Sequence, residues 1–309
     1  MISINTDYTK TSFSTIHTKN MLKTISNKGF THIHWVHQWN GTDHYTLPEM
    51  QQIKGWLKEF NLSVHGIHAS DGTITGEFDD RKMFVSPNEY NRKAGVELVK
   101  NRIDVASFLD AKLIVLHIKM FHLLDIDLDY SSFVDTYWDC LFKSFDSIIE
   151  YAKEKNIKVA IENLEFPSNA IQFDQFDRMF ERYSVKNLGF CFDLGHGMIC
   201  NYKRPFEFLE KYQNRLIELH LNCGIGNVNN ITDYRTILKE LDLHNIPNEE
   251  SVNLNELSKI IARFSNEVPI TFEIATSENE VDSGLTETLR VGKLIEELVA
   301  KAATDFNAV

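Results

Sequence analysis

The sequence predicts an α/β protein, a single (β/α)8 barrel of parallel strands, on three observations. Eight short apolar runs alternate with eight helical stretches in β-then-α order. Right-handed crossovers between such units give a parallel sheet. The length, 309 residues, holds eight repeats, which favours closure into a barrel over an open doubly wound sheet. Finally, six of the runs stop on His, Asp or Glu, as strands do when they converge on an ion or ion cluster at the C-terminal rim of a barrel.

Each element has a local signature. Ile2–Thr6 is the first strand, and Ile16–Asn27 the first helix, closed by Lys28-Gly29. Thr31–Val36 is the second strand; Thr46-Leu47-Pro48-Glu49 is a capping box that opens the helix Leu47–Phe60. Leu62–His68 follows as a strand, then a loop long enough to carry function. Ser86-Pro87-Asn88-Glu89 repeats the capping signature and starts a helix reaching about Leu109. Lys112–His117 is the fourth strand. In Ser132–Lys155, Phe133, Tyr137, Leu141, Phe145, Ile148 and Ala152 form an apolar helical stripe. Ile157–Glu162 is the fifth strand and Gln172–Tyr183 its helix. Leu188–Phe192 leads into Asp193, followed by a short helix at Pro205–Gln213. Leu216–Leu221 is the seventh strand, with the longest loop, Asn222–Val252, behind it. Asn253 and Glu256 cap a helix to Phe264, Pro269–Ile274 is the eighth strand, and Val281–Lys301 is the closing helix. One domain spanning 1–309 is expected, with about 302–309 as a C-terminal tail.

Composition narrows the function. Hydrophobic residues make up 43%, ample for a large core. Lys+Arg 32 against Asp+Glu 44 gives a net charge of −12, and no basic run occurs, so nucleic acid and anionic membrane are disfavoured as partners. Cys140, Cys191, Cys200 and Cys223 lack paired spacing, which points to free thiols and a cytoplasmic setting. Met1 leads straight into a strand with no secretory pattern, and no apolar run reaches membrane-spanning length.

His68, His117, Glu162, Asp193, His220 and Glu273 end strands three to eight. Any one of them alone is an ordinary loop-side hydrogen-bonding group. Together, three carboxylates at one rim would repel and raise each other's pKa unless a cation neutralised them. Carboxylates with imidazoles suit Mn²⁺ or Zn²⁺ first, with Co²⁺ or Fe²⁺ also compatible. His34 shares one strand face with Val36 and is expected at the mouth; Trp39 could stack on a substrate, and Lys119 could meet a phosphate or carbonyl.

These residues also carry a resemblance. IEN at 161–163, FDLGH at 192–196, LHLN at 219–222 and FEI at 272–274 resemble the xylose-isomerase-like TIM-barrel superfamily across nearly the whole chain. That group includes sugar isomerases and epimerases, inosose dehydratase-type enzymes and the endonuclease IV type of AP endonuclease. The resemblance implies one divalent ion held by Glu162, Asp193, His220 and Glu273, with Glu162 and Glu273 as the acid/base pair and His196 on a substrate oxygen or second ion. It implies an isomerase or epimerase for a small sugar or sugar phosphate, with a homodimer compatible. The ketose epimerases carry an Arg soon after the strand-seven His, whereas HLNCGIGN has none before Arg235, and Glu165 sits at a different offset from their second Glu. His68, His117 and Asp242-Leu243-His244 are similar instead to the endonuclease IV pattern of three zincs, which makes a metal-dependent phosphodiesterase the alternative. His68, His117, His196, Asp242 and His244 are therefore candidates for a second ion or for substrate. A single tightly held ion is the expectation.

Overall fold

Eight parallel strands close into one barrel in sequence order, each paired with its chain neighbours and β1 with β8. The computed structural model describes residues 1–8, 15–36, 44–69, 82–118, 130–166, 168–248, 250–263 and 268–307. The strands are β1 (Ile2–Asn5), β2 (His32–Trp35), β3 (Ser63–His68), β4 (Leu113–His117), β5 (Lys158–Glu162), β6 (Leu188–Asp193), β7 (Leu216–Leu221) and β8 (Ile270–Phe272). Around them run α1 (Thr15–Asn27), α2 (Leu47–Glu59), α3 (Glu89–Phe108), α4 (Tyr130–Glu154), α5 (Asn169–Arg182), α6 (Leu194–Cys200), α7 (Glu207–Tyr212), the single turn α8 (Tyr234–Thr236), α9 (Leu254–Ile261) and α10 (Val281–Asn307). No described helix is long and apolar enough to cross a membrane, and all four cysteines are free.

Strand alternation divides the interior into two unlike regions. On β4 to β6, Ile114, Leu116, Val159, Ile161, Phe190 and Phe192 belong to the large core shared with the helices. Their alternates, Leu113, Val115, Ala160 and Cys191, form a separate small cluster. Side chains two apart share a strand face, so His117, Glu162 and Asp193 lie on the small cluster's side, which is the barrel axis. The strands therefore carry large apolar residues outward and small or ionisable ones inward.

Several boundaries differ from the sequence expectation for physical reasons. α3 starts at Glu89, not at Ser86: the Asn88 side chain accepts from the amides of Tyr90 and Asn91, while the Ser86 hydroxyl accepts from Asn88 N–H. An unexpected helix, α6, leaves β6 without a loop because Asp193 is its N-cap, accepting from His196 N–H at 2.7 Å. The expected helix at Pro205–Gln213 shortens to α7, and α10 continues past Lys301 to Asn307. At Thr46 the Glu49 carboxylate does reach back, accepting from the amide and hydroxyl at 2.7 Å each.

The path of the long loop after β7 positions residues over the barrel. Cys223 and Asn245 form an antiparallel bridge, with Cys223 N–H donating to Asn245 O at 2.8 Å and Asn245 N–H returning at 3.1 Å. Ile225 N–H donates to Leu241 O, and Ala275 N–H to His244 O. These bonds strap Asp242-Leu243-His244 between the ends of β7 and β8.

Helix α3 packs on the 83–85 segment through Gly95, where an added Cβ would lie 2.3 Å from Phe84 N and 2.4 Å from Met83 C. Backbone atoms cannot give way there as a flexible side chain would. Gly95→Ala should destabilise the protein by about 1–3 kcal/mol, the range for overpacking, measured by urea unfolding. A midpoint within error of the parent would contradict this packing.

Candidate metal centre

The described donors gather into four overlapping groups, three of them at the C-terminal end of the barrel and a fourth, His34, Glu218 and His220, inside it. His68, Glu162, His220 and Glu273 offer ligand atoms within 4.8 Å of one another; so do Glu162, Asp193 and His196, and so do His196, Asp242 and His244. Glu162 is the hub. Its Oε2 lies 3.3 Å from both His68 Nε2 and His117 Nε2, and its Oε1 lies 3.3 Å from His220 Nδ1. His220 Nδ1 is in turn 3.0 Å from Glu273 Oε2. In the third group Asp242 Oδ1 is 3.3 Å from His244 Nε2 and 3.7 Å from His196 Nε2.

These spacings fit ion binding. Charge-assisted N–H···O bonds close to about 2.7–2.9 Å, whereas two donors about 2.0–2.2 Å from a shared tetrahedral ion lie about 3.3–3.6 Å apart. Glu162 Oε1, both ring nitrogens of His220 and Asp242 Oδ1 are buried and make no hydrogen bond among the described residues. Buried polar atoms left so are costly; an ion between Glu162 and one ring nitrogen of His220 satisfies those two, while Asp242 Oδ1 belongs to the third group.

The surrounding bonds fix donor orientation. His196 Nδ1 lies 2.8 Å from Asn163 O, and His244 Nδ1 lies 2.9 Å from Glu273 O. A carbonyl only accepts, so Nδ1 carries the proton in each ring and Nε2 faces the third group. His244 adopts a left-handed backbone (φ 50°), an uncommon conformation for a non-glycine residue. The Asn163 amide bridges β5 to β6, donating to Asp193 O and accepting from Asp193 N–H at 2.9 Å each. Asn222 Nδ2 donates to Asp193 Oδ2 at 2.6 Å. Gly195 permits this contact, since a Cβ there would fall 1.8 Å from Asn222 Oδ1.

Electrostatics depart from the expectation that the three carboxylates raise one another's pKa. That holds for Asp193, which burial and the charges of Glu162 and Glu273 push up to about 6 against the opposing pull of His196. Glu162 is held well below its ordinary value: burial would raise it, but His220 and His117 outweigh that. Glu273 is likewise lowered, with His220 overcoming burial. Burial disfavours charge on His196 too, yet Asp193, Asp242, Glu165 and Glu162 raise it to about 10. The metal-free chain thus meets its carboxylates with imidazolium protons.

The sequence-predicted residues are distributed unevenly. Glu162, His220 and Glu273 meet as expected, but His68 completes their group, and Asp193 is grouped with Glu162 and His196. His117 touches Glu162, and Asp242 and His244 do arrive beside His196. His34 points into the barrel but is fully buried behind the donors, its ring 4.9 Å from that of His220 and its Nδ1 3.5 Å from Glu218. Burial pushes its pKa down to about 4. Trp39 and Lys119 lie outside the described residues.

Other residues carry the site without having been singled out as part of it. Glu218, fully buried one inward position below His220, meets His65 Nε2 at 2.9 Å and accepts from Thr271. Glu165 lies 3.6 Å from His196 Nε2. It borders a cavity of about 460 Å³ whose walls include Phe166, Asn201, Tyr202, Asn230 and Thr232. Alternation along IELHL was the available signal for Glu218; nothing local marks Glu165 as site-facing. Asp233, in the same loop as Asp242, caps α8 by accepting from Thr236 N–H at 2.8 Å.

Two outcomes test this arrangement. Gly195→Ala should displace Asn222 from Asp193 and weaken metal affinity by about 10–100-fold, the usual cost of losing a supporting bond to a ligand; unchanged affinity in a metal titration would contradict it. Metal binding should also release protons, because ligating imidazoles must be neutral while His220, raised well above its ordinary value by the carboxylates around it, is held protonated near pH 7. Affinity should therefore rise with pH and fall more steeply below about 6, where Asp193 also takes a proton. Calorimetry in buffers of different ionisation enthalpy reads this directly, and a buffer-independent heat would contradict it.

Residues 22–293 match the family described as xylose isomerase-like TIM barrel. An uncharacterized protein of Sinorhizobium fredii, y4fM, is 28% identical over 269 residues, 82% of this chain and 80% of that protein. MJ1311, an uncharacterized protein of Methanocaldococcus jannaschii, is 28% identical over 190 residues, 56% of this chain and 62% of its own. Among solved structures, a D-tagatose 3-epimerase-like protein superposes with TM-score 0.71 at 20% identity, covering 97% of this chain and 98% of that one. L-ribulose 3-epimerase gives 0.67 at 13% identity, covering 99% and 97%. At such identity these structures establish the fold, and the match over residues 22–293 gives the lineage: the chain belongs to the xylose isomerase-like TIM-barrel family.

Proposed function

We propose that the chain is a divalent-metal-dependent isomerase or epimerase acting on a small sugar or sugar phosphate. The observation that carries this reading is the placement of two carboxylates, buried Glu162 and partly exposed Glu273, 3.3 and 3.0 Å from one imidazole nitrogen of His220. Both are held as anions in the metal-free chain, the state a proton acceptor needs. The solved structures of similar fold include epimerases of D-psicose and L-ribulose, which supports sugar as the substrate class.

His68, Glu162, His220 and Glu273 would hold the ion, with Asp193 reaching it from the neighbouring group. When bound, a divalent ion polarises substrate oxygens and acidifies the adjacent carbon-bound proton. The chain's own part is proton transfer: one glutamate removes the proton, and the other returns it to the carbon. His196, oriented through Asn163, donates to a substrate oxygen from Nε2. The cavity beside Glu165 has the volume of a small-molecule site, and its Phe166 and Tyr202 rings with Asn and Thr groups suit a sugar.

A second reading, a metal-dependent phosphodiesterase with two or three ions, is favoured by one specific observation. His196, Asp242 and His244 form a donor group separate from that of Glu273, while His68 and His117 both flank Glu162. The net charge of −12 weighs against a long polyanionic substrate.

A panel of ketoses and sugar phosphates, assayed with Mn²⁺ and Zn²⁺, should yield an interconversion that Glu273→Gln reduces by about 10²–10⁴-fold with the fold retained. Turnover surviving that substitution would refute the acid/base role. Hydrolysis of a simple phosphodiester, together with two or three ions per chain by elemental analysis, would replace this reading with the second.

A further inference from the structure

The opposite, N-terminal end of the barrel carries a recess of about 490 Å³ that the proposed reaction does not use. Lys112 precedes β4, Lys158 opens β5, Lys186 lies just ahead of β6, and Lys153 comes from the last turn of α4; all four line the recess. The strand register gathers them. Lys158 N–H donates to Lys112 O at 3.0 Å, Lys158 pairs with Leu113, and Val159 pairs with Leu188. Neighbouring strands run about 4.8 Å apart, so three consecutive strand entries bring lysines to one opening. Among the described residues none of the four comes within 4.0 Å of a carboxylate. Lys155, two residues beyond Lys153, does pair, with Asp104 at 2.8 Å.

This grouping runs against the overall charge of the chain. The net charge is −12, yet here four cations share one concave surface with no anion of the protein between them. The nearest buried carboxylate, Glu218, is screened by His65, whose Nε2 holds it at 2.9 Å while the ring lines the recess. Asn187 adds an amide to the wall. Clustered like charges repel unless a counter-ion is bound, and a concave low-dielectric wall focuses their field.

We propose that this recess is a binding site for a compact, multiply charged oxyanion: a phosphate group, either free or carried on a small metabolite. It is separate from the metal centre and stands whether or not the isomerase reading does. Phosphate oxygens accept from ammonium donors at any orientation, which suits lysine side chains arriving from several directions.

Titration calorimetry of the metal-loaded protein with inorganic phosphate, and in parallel with glycerol 3-phosphate, tests the proposal. The triple variant Lys112→Gln/Lys158→Gln/Lys186→Gln should bind about tenfold more weakly or worse. A control triple variant, Lys23→Gln/Lys58→Gln/Lys293→Gln, makes the same change in net charge at exposed positions elsewhere and should bind as the parent does. Tighter binding of the ester than of inorganic phosphate would assign the site to a metabolite, and the reverse order to the free ion. Unchanged affinity in the recess variant would place the anion at the metal centre and overturn the proposal, as would absence of binding by the parent. All six substituted side chains are exposed, so folding is expected to be retained; the thermal midpoint of each variant checks this. Should the triple variant fail to fold, Lys186→Glu alone should still weaken binding.

Discussion

The structure depends on finding positive charge for the carboxylates inside the barrel. Glu162, Asp193 and Glu218 are essentially sealed from solvent. An isolated buried carboxylate costs several kcal/mol, and no Lys or Arg reaches these three among the described residues. Histidines from β2, β3, β4, β6's helix and β7 do reach them. Imidazole is the one side chain that can be a cation, a neutral hydrogen-bond donor or a metal ligand near neutral pH. The same ring can therefore neutralise a carboxylate in the metal-free chain and ligate an ion afterwards. The polar interior is compatible with stability because strand alternation places the large apolar residues on the outer face, where the helices cover them.

Much of this was legible in the sequence, because two periodicities determine it. The β-then-α alternation specified the barrel, and the inward parity of strand ends made His117, Glu162, Asp193 and His220 neighbours. The departures arise where tertiary geometry decides. Asp193 serves as the cap of α6, and one oxygen is committed to His196 N–H, which shifts it from the Glu273 group toward His196. His34 faces inward as its alternation suggests, and there it meets Glu218 and His220. Asp242 and His244 could be recognised as a pair, while their arrival depends on the Cys223–Asn245 bridge, which has no sequence signature. Glu218 and Asn222 were visible by parity with His220; their partners, His65 and Asp193, come from other strands and could not be read locally.

The two faces of the barrel divide chemistry in a way the net charge conceals. Acidic and imidazole groups concentrate at the C-terminal end, and unpaired lysines at the N-terminal end, with His65–Glu218 between them. A uniformly acidic surface would repel phosphorylated molecules everywhere. This distribution gathers lysines around the N-terminal recess, and leaves the donor groups at the other end electrostatically suited to cations.

The central claim is that the inward strand ends hold a divalent ion around Glu162. Anomalous diffraction from crystals of the Mn²⁺- or Zn²⁺-loaded protein measures this most directly. The account predicts an anomalous peak in contact with Glu162, His220 and Glu273 at first-coordination distances of about 2.0–2.2 Å. A fully loaded crystal with no peak at those side chains, or with metal only on the exterior of the barrel, would contradict it.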